Sequence, residues 1–257
     1  MTNATQPLCA CCRMMPVANE GDVCADRAAC VGRYDERQAL EERQATAAAR
    51  IREAVIAGDF NQDCLGKWAG SSAAIEQRRP QMWQALRNWT PRPGSLYVHG
   101  DCGTGKTFAC TAILREAAAD NRSIALVPAL RLADVAGRYD TPPSVVQRWG
   151  SVGVLLLDDL DKPRWTDTRL EVLYRVLDAR ASTHRATLVT ANTPPSALLD
   201  KLLEAGRADL ADAAFQRLLP MTVCELSGSN LRLARTCRVE PTSKPSDASE
   251  RSEGDVS

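Results

Sequence analysis

The chain has 257 residues, 44% of them apolar and 25% charged, and its 32 Lys plus Arg balance 32 Asp plus Glu. That length accommodates one ordinary domain and a small accessory region, and the apolar share excludes wholesale disorder. The even charge excludes a globally basic nucleic-acid binder while leaving room for a local basic patch. The longest apolar runs reach about a third of the ~20 residues a membrane helix needs. The first residues, Met1 to Pro7, lack a basic stretch followed by an apolar one, so no secretory signal, no membrane partner and a cytoplasmic location are expected.

Five of the ten cysteines fall in the first thirty residues: Cys9, Cys11, Cys12, Cys24 and Cys30. Residues 1–32 therefore read as a small module too short for a core of its own, and such modules need a metal or disulfides. Without a secretory signal, clustered thiols point to metal. Cys9-x-x-Cys12 has knuckle spacing, and Cys24-x5-Cys30 offers a looser second pair. Four thiolates suit tetrahedral Zn²⁺, with Cys11 an alternative to Cys9 or Cys12. Neither histidine belongs to the module: His99 and His184 lie far downstream.

The run from Arg33 to Ala57 is rich in Ala, Glu, Arg and Gln, with Leu40, Ala47, Ile51 and Val55 near helical spacing. It predicts one long amphipathic helix stopped by Gly58, either a connector or a partner-binding arm. Three glycines mark 58–70 as a loop, so 33–70 reads as a helical linker or arm. A helix capped by Ser71-Ser72 is expected to run to about Trp89, kinked or split at Pro80. Pro91 and Pro93-Gly94 stop it.

From Ser95 short apolar runs alternate with helical stretches. Strands are expected at Leu96–His99, Ile124–Val127, Val152–Leu157 and Thr187–Thr190. Helices are expected at Thr107–Ala119, Leu130–Arg138, Leu170–Ala181 and Leu198–Ala205, with a short one at Asp209–Ala214 ahead of Arg217. This alternation predicts an α/β fold over 71–239, a parallel sheet flanked by helices. Residues 240–257 are Ser, Pro, Asp and Glu with almost no apolar residue, and a disordered tail is expected there.

Gly100-Asp101-Cys102-Gly103-Thr104-Gly105-Lys106-Thr107 fits G-x-x-x-x-G-K-[ST] at every position. It follows a predicted strand and opens a predicted helix, the context a phosphate-binding loop requires. Glycines let the chain curl so that backbone N–H groups face inward as an anion nest, and the helix N-terminus adds its positive end. Gly100 to Phe108 are the candidate nucleotide-binding residues. Lys106 is placed to reach the β- and γ-phosphates and Thr107 to offer its hydroxyl to Mg²⁺. Cys102 reads as a small filler in this loop, with a redox switch the alternative.

Downstream, Val154-Leu155-Leu156-Leu157 is a strand apolar on both faces, as in the middle of a parallel sheet. It ends in Asp158-Asp159. The C-terminal end of such a strand points into the crevice where ligands bind. Asp158 is the candidate Mg²⁺ ligand, and Asp159 the group that orients or deprotonates an attacking water. A second apolar strand, Thr187 to Thr190, ends in Ala191-Asn192-Thr193. The Asn192 amide there is placed to hold that water beside the γ-phosphate, or is simply a turn residue before Pro194-Pro195.

In this order the motifs resemble the AAA+ ATPases, and within them the DnaC/DnaI-type replicative helicase loaders and the related IstB-type transposition ATPases. Leu155 to Lys162 resembles the family's acidic box. Tyr174 to Arg180 resembles the helix leading to the next strand, and Thr187 to Asn192 the sensor-1 strand, with Asn192 the sensor. Phe215-Gln216-Arg217-Leu218 resembles the box that carries an arginine finger, and Ser227 to Arg232 the closing G-x-x-x-R segment. The resemblance covers about residues 72–235.

It implies ATP hydrolysis with Mg²⁺ and delivery of Arg217 to a neighbouring subunit's site, hence a homo-oligomer. The implied partners are a DnaB-type helicase and single-stranded DNA, in bacterial or phage replication. Arg131, Arg138 and Arg148 are candidates for a DNA-contacting patch. Some loaders of this type carry a zinc-binding N-terminal domain, in keeping with Cys9, Cys12, Cys24 and Cys30. Asp159 stands where most AAA+ proteins have Glu, which implies slow hydrolysis. Asn230-Leu231 replaces the usual aromatic before the last arginine and leaves the role of Arg232 open. Alternatives are an IstB-like ATPase that assists a transposase and a nucleotide-sensing adaptor with little turnover.

Overall fold

The computed structural model describes residues 8–13, 15, 22–56, 95–136 and 143–226. The expected loop at 58–70, the helix at 71–89, Arg138, the closing segment through Arg232 and the tail lie outside them.

Helix α1 spans Arg27–Ile56 and begins earlier than the predicted Arg33. Asp26 supplies the reason: its Oδ1 accepts the Ala29 backbone N–H at 3.0 Å, an N-cap that satisfies a donor of the first turn. The remaining elements follow as β1 Leu96–His99, α2 Lys106–Ala119, β2 Ile124–Pro128, α3 Ala129–Ala136, α4 Pro143–Ser151 and β3 Val154–Asp158. Then come α5 Asp167–Ser182, β4 Ala186–Thr190, α6 Pro195–Leu203, α7 Ala208–Leu218 and β5 Thr222–Glu225.

The five strands form one parallel sheet in the order β2-β3-β4-β1-β5. The expected α/β architecture is thus what the chain adopts. Side chains alternate across the sheet, as the two-residue period of a strand requires. Leu96, Val98, Leu126, Val154, Leu156 and Leu188 face α2 and the distal half of α1, meeting Ala109, Ile113, Leu114 and Ala54. Tyr97, Val127, Leu155, Leu157 and Val189 face the opposite layer, meeting Leu132 of α3, Trp149 of α4, Leu173 of α5, Leu198 of α6 and Leu218 of α7. Strand β3 is therefore apolar on both sides and carries Asp158 at its tip.

Ala47, Ile51 and Val55 pack α1 onto the α2 layer. Arg43 and Arg50 reinforce the contact through Asp120 and Asn121. Leu40 stays 55% exposed, so the apolar stripe of α1 is used only toward its C-terminal end.

Two elements went unread in the sequence, α4 and β5. Helix α4 is short and contains Gly150 and two β-branched residues, which weaken a helical signal. Strand β5 is a short, largely exposed edge. Strand β3 also starts two residues later than expected. Val152 still donates its N–H to Arg148 O at 3.0 Å, and Gly153 crosses so close to Ser123 that a Cβ would lie 3.0 Å from its carbonyl oxygen.

Arg180 of α5 is 1% exposed and locks this corner. Its guanidinium donates to Thr187 Oγ1 at 2.8 Å, to the carbonyls of Trp149 and Val152 at 2.8 and 2.9 Å, and to that of Ala186. These acceptors are neutral, and burial brings its pKa down to about 9.

Candidate nucleotide site and cysteine centre

The segment between β1 and α2 carries the phosphate-loop motif. Gly100, Gly103 and Gly105 have φ of 137°, 84° and 98°, a region that L side chains rarely adopt and glycine occupies without penalty. Gly100 also meets the end of the edge strand: a Cβ there would lie 2.1 Å from Leu226 O, because Leu226 donates its N–H to His99 O at 2.7 Å. Inside the loop, Thr104 Oγ1 donates to Asp101 O at 2.9 Å. Asp101 and Cys102 are exposed, Thr104 is buried, and Phe108 packs its ring toward the α2-side core.

The sheet topology brings three strand tips together beside this loop: β1, β4 and β3. Lys106, the first residue of α2, is 6% exposed. Its Nζ donates to Gly100 O at 2.7 Å, Asp101 O at 2.8 Å and Asn192 Oδ1 at 2.9 Å. Burial pulls its pKa below the ordinary lysine value, opposed by Asp159, Cys102, Asp161 and Asp101.

Thr107 Oγ1 donates to Asp158 Oδ1 at 2.8 Å. Thr190 Oγ1 donates to the same oxygen at 2.6 Å and accepts the Asp159 N–H at 2.8 Å. Asp159 has φ +56°, and Asp is among the non-glycine residues enriched in that conformation. Burial raises its pKa, Asp158 and Asp161 raise it further, and Lys162 and Lys106 oppose them.

Lys106, Thr107, Asp158, Asp159 and Asn192 thus converge, although more than 80 residues separate the ends of the set. Its chemistry suits a polyphosphate: a glycine-rich loop at a helix N-terminus, a buried ammonium, and a hydroxyl–carboxylate pair of the hard-oxygen type Mg²⁺ selects. Thr190, Asp161 and Lys201 belong to the same network and were not singled out in the sequence. The readable signal for Thr190 was its place as the last residue of β4, level with the acidic strand.

Arg217 lies apart from this network. The helix expected to end near Ala214 continues to Leu218, so Arg217 sits in the last turn of α7. It donates through Nε and Nη2 to Asp178 Oδ1 of α5 at 3.0 and 2.8 Å. Arg131 is half-buried on α3 and Arg148 lies in the last turn of α4.

Near the N-terminus, the sulfur atoms of Cys9, Cys12, Cys24 and Cys30 all lie within 4.8 Å of one another, each residue being buried. Cys9 and Cys30 sulfurs are 3.6 Å apart, and those of Cys12 and Cys24 3.5 Å. Zn–S bonds of ~2.3 Å at tetrahedral angles place sulfurs ~3.8 Å apart, so the cluster fits that ion. The first pair comes from a tight turn closed by Arg13 N–H on Cys9 O at 2.9 Å. Cys30 comes from the first turn of α1.

Cys11 is half-exposed and packs against the four from outside. Burial opposes ionisation of Cys9, but the backbone at Cys12 and Cys11 overrides it and brings the thiol down to about 6. Arg33, one helical step beyond Cys30, lies beside Cys24 and Cys12, whose sulfurs raise its pKa. Its charge offsets part of the negative charge that four thiolates would gather.

Residues 96–213 match the family described as "ATPase family associated with various cellular activities (AAA)". A Mycobacterium tuberculosis protein described as an ATP-binding protein in an insertion sequence is 26% identical over 149 residues, covering 52% of this chain and 59% of its own length. The chain thus spans less than two thirds of that relative. The crystal structure of DnaI superposes with TM-score 0.53 and 25% identity over 64% of this chain and 92% of DnaI. A structure described as a primosome component from Streptococcus pyogenes is similar at 23% identity, with TM-score 0.47, over 63% of this chain and 83% of its own. No described helix is long and apolar enough to cross a membrane. The strand order, the phosphate loop and the matched family agree, and residues 96–213 of this chain are an AAA-family ATPase domain.

Proposed function

We propose that the chain is an ATP-hydrolysing loader of a replicative, DnaB-type helicase, organised as a zinc module at 1–32, a helical arm at 33–70 and an ATPase domain at 71–239. The observation that carries the ATPase reading is the Thr107–Asp158 hydrogen bond of 2.8 Å beside the buried Lys106. It joins the phosphate loop to the acidic strand in one site. Gly100 to Phe108 receive the phosphates through backbone N–H groups. Lys106 exchanges its carbonyl and amide acceptors for β- and γ-phosphate oxygens. Thr107 and Asp158 would hold Mg²⁺, which when bound would supply charge neutralisation to the phosphates. Asp159 accepts a proton from the attacking water, Asn192 positions that water, and Arg217 acts on a neighbouring subunit's nucleotide in a homo-oligomer.

The loader reading draws on the likeness to DnaI over nearly all of that structure. It implies contacts with single-stranded DNA and with the helicase, the latter through the cysteine module and the N-terminal half of α1, where Leu40 is exposed. The relative described from an insertion sequence supports a second reading, an ATPase that assists a transposase.

ADP release with and without single-stranded DNA tests hydrolysis. Co-purification with the helicase against co-purification with a transposase separates the two readings. Capture of the transposase alone would overturn the loader.

A further inference from the structure

Asp161 is the third carboxylate after β3, and the proposed chemistry gives it no task. It is 7% exposed, and its Oδ1 is buried without a hydrogen-bond partner. A buried acceptor in that condition is costly, so a carboxylate is a poor choice of mere filler. Its Oδ2 faces Asn192 Nδ2 at 3.4 Å. Lys201 of α6 approaches from the other side, donating to Asp161 O at 3.1 Å with Nζ 3.8 Å from Oδ2.

The two neighbours of the Asn192 amide leave it one orientation. The ammonium of Lys106 can only donate, so the amide atom 2.9 Å from it must be Oδ1. The NH₂ end is then turned to Asp161, and a carboxylate is a pure acceptor when ionised. An amide held at only one end could rotate and present either atom. Held at both ends, it has a fixed polarity toward the phosphate loop.

We infer that Asp161, backed by Lys201, is a positioning residue that locks Asn192 with its oxygen facing the γ-phosphate side of the pocket. When Lys106 transfers its hydrogen bond to phosphate, Asn192 Oδ1 is left as an acceptor for the attacking water. Asn192 and Asp159 then both accept from that water and fix its lone pair toward phosphorus. This inference rests on the ATPase reading for its consequence, though not for the Asp161–Asn192 pairing itself.

A double-mutant cycle in the full chain tests it, with kcat, the ATP Kd and nucleotide-free melting measured for Asp161→Asn, Asn192→Asp and the double variant. Asn192→Asp alone opposes two carboxylates and should lower kcat by ~100-fold or more, the scale of losing one preorganised polar group, with ATP Kd changed far less. Adding Asp161→Asn exchanges the roles of the pair and should recover at least ~10-fold in kcat, and the two melting shifts should fall short of additive.

A double variant whose kcat is the product of the singles, with additive melting shifts, overturns the inference. If the parent releases no ADP, the ATPase reading falls instead. Nucleotide-free melting then decides the pairing by itself: non-additive shifts uphold it and additive shifts remove it.

Discussion

Thr107 and Asp158 are 51 residues apart and share one hydrogen bond of 2.8 Å. Thr190 donates to the same carboxylate oxygen while accepting the N–H of Asp159. One hydroxyl therefore ties the sensor strand to both acidic residues. Thr190→Val keeps the shape and removes that hydroxyl, leaving the half-buried Asp159 N–H without its acceptor. We expect a stability loss of about 1–3 kcal/mol and a higher Mg²⁺ concentration for half-maximal turnover. Chemical denaturation and a Mg²⁺ titration of ADP release check both.

Lys106 and Asp159 should separate binding from chemistry. Lys106→Ala removes a buried ammonium that makes three hydrogen bonds, so ATP binding should collapse. Asp159→Asn should retain binding and lose turnover, and it suits the left-handed backbone there.

The stability sign for Asp159 follows from its raised pKa. The fold favours the protonated form, so the group's contribution is complete below its unfolded value of 3.8 and is lost as pH rises through the raised one. At neutral pH the ionised group is a liability, and Asp159→Asn should melt higher than the parent. That margin should shrink as pH falls toward 4. By the same shift, parental turnover should fall on the acid side at a pH above the ordinary carboxylate range. A variant that melts lower at pH 7 and still hydrolyses ATP would remove Asp159 from its assigned role.

Much of this site was legible because its parts are local. The phosphate loop is eight consecutive residues, and β3 announces itself by four apolar residues before Asp158. What joins them is not local. Asp161 reads as one more acidic residue in a loop until β4 brings Asn192 beside it, and Lys201 reads as a surface lysine on α6. Arg180 was equally silent. It stands at the end of an ordinary helical pattern, yet it is buried against carbonyls from two other elements. Helix periodicity reports which face is inward, but not that a guanidinium there has four acceptors waiting.

That last arrangement predicts a large effect far from the phosphate loop. Arg180→Met fills part of the volume but removes the buried guanidinium's hydrogen bonds to Thr187 Oγ1 and to the carbonyls of Trp149, Val152 and Ala186. A hydrogen bond from a charged group is worth about 1.5–3 kcal/mol, so the variant should lose at least ~3 kcal/mol in denaturant unfolding. An unchanged midpoint would show that the corner of α4, α5 and β4 is not held by this residue.

The cysteine centre predicts metal. Purified protein should carry about one zinc per chain, the stoichiometry of a single four-thiolate site. The Cys12→Ser, Cys30→Ser double variant takes one ligand from each close pair and should lose it, with fraying of the first turns of α1, where Cys30 sits. Cys11→Ser should retain it, because Cys11 lies outside the four. Metal analysis under reducing conditions with zinc available, and helicity by circular dichroism, check these outcomes; a Cys11→Ser protein without zinc would mean a different ligand set.

Arg217 ties the sequence to assembly. Within one chain it is held by two hydrogen bonds to Asp178 at the exposed junction of α5 and α7. A guanidinium so held is oriented, and a partly exposed ion pair is worth little by itself. It can therefore be given up for a phosphate of a neighbouring subunit. Arg217→Ala should leave ATP affinity nearly intact and lower turnover by ~10³ or more, as loss of such fingers does. A Lys106→Ala subunit still carries Arg217, and an Arg217→Ala subunit still has its phosphate loop, so mixing the two inactive proteins should restore hydrolysis at mixed interfaces. An arginine that serves only the α5–α7 contact would give a stability defect without a turnover defect. One acting within its own subunit would give a turnover defect that mixing leaves unrescued. Absence of rescue in mixtures shown to co-assemble would take Arg217 out of the hydrolytic site and leave its pairing with Asp178 as a packing contact.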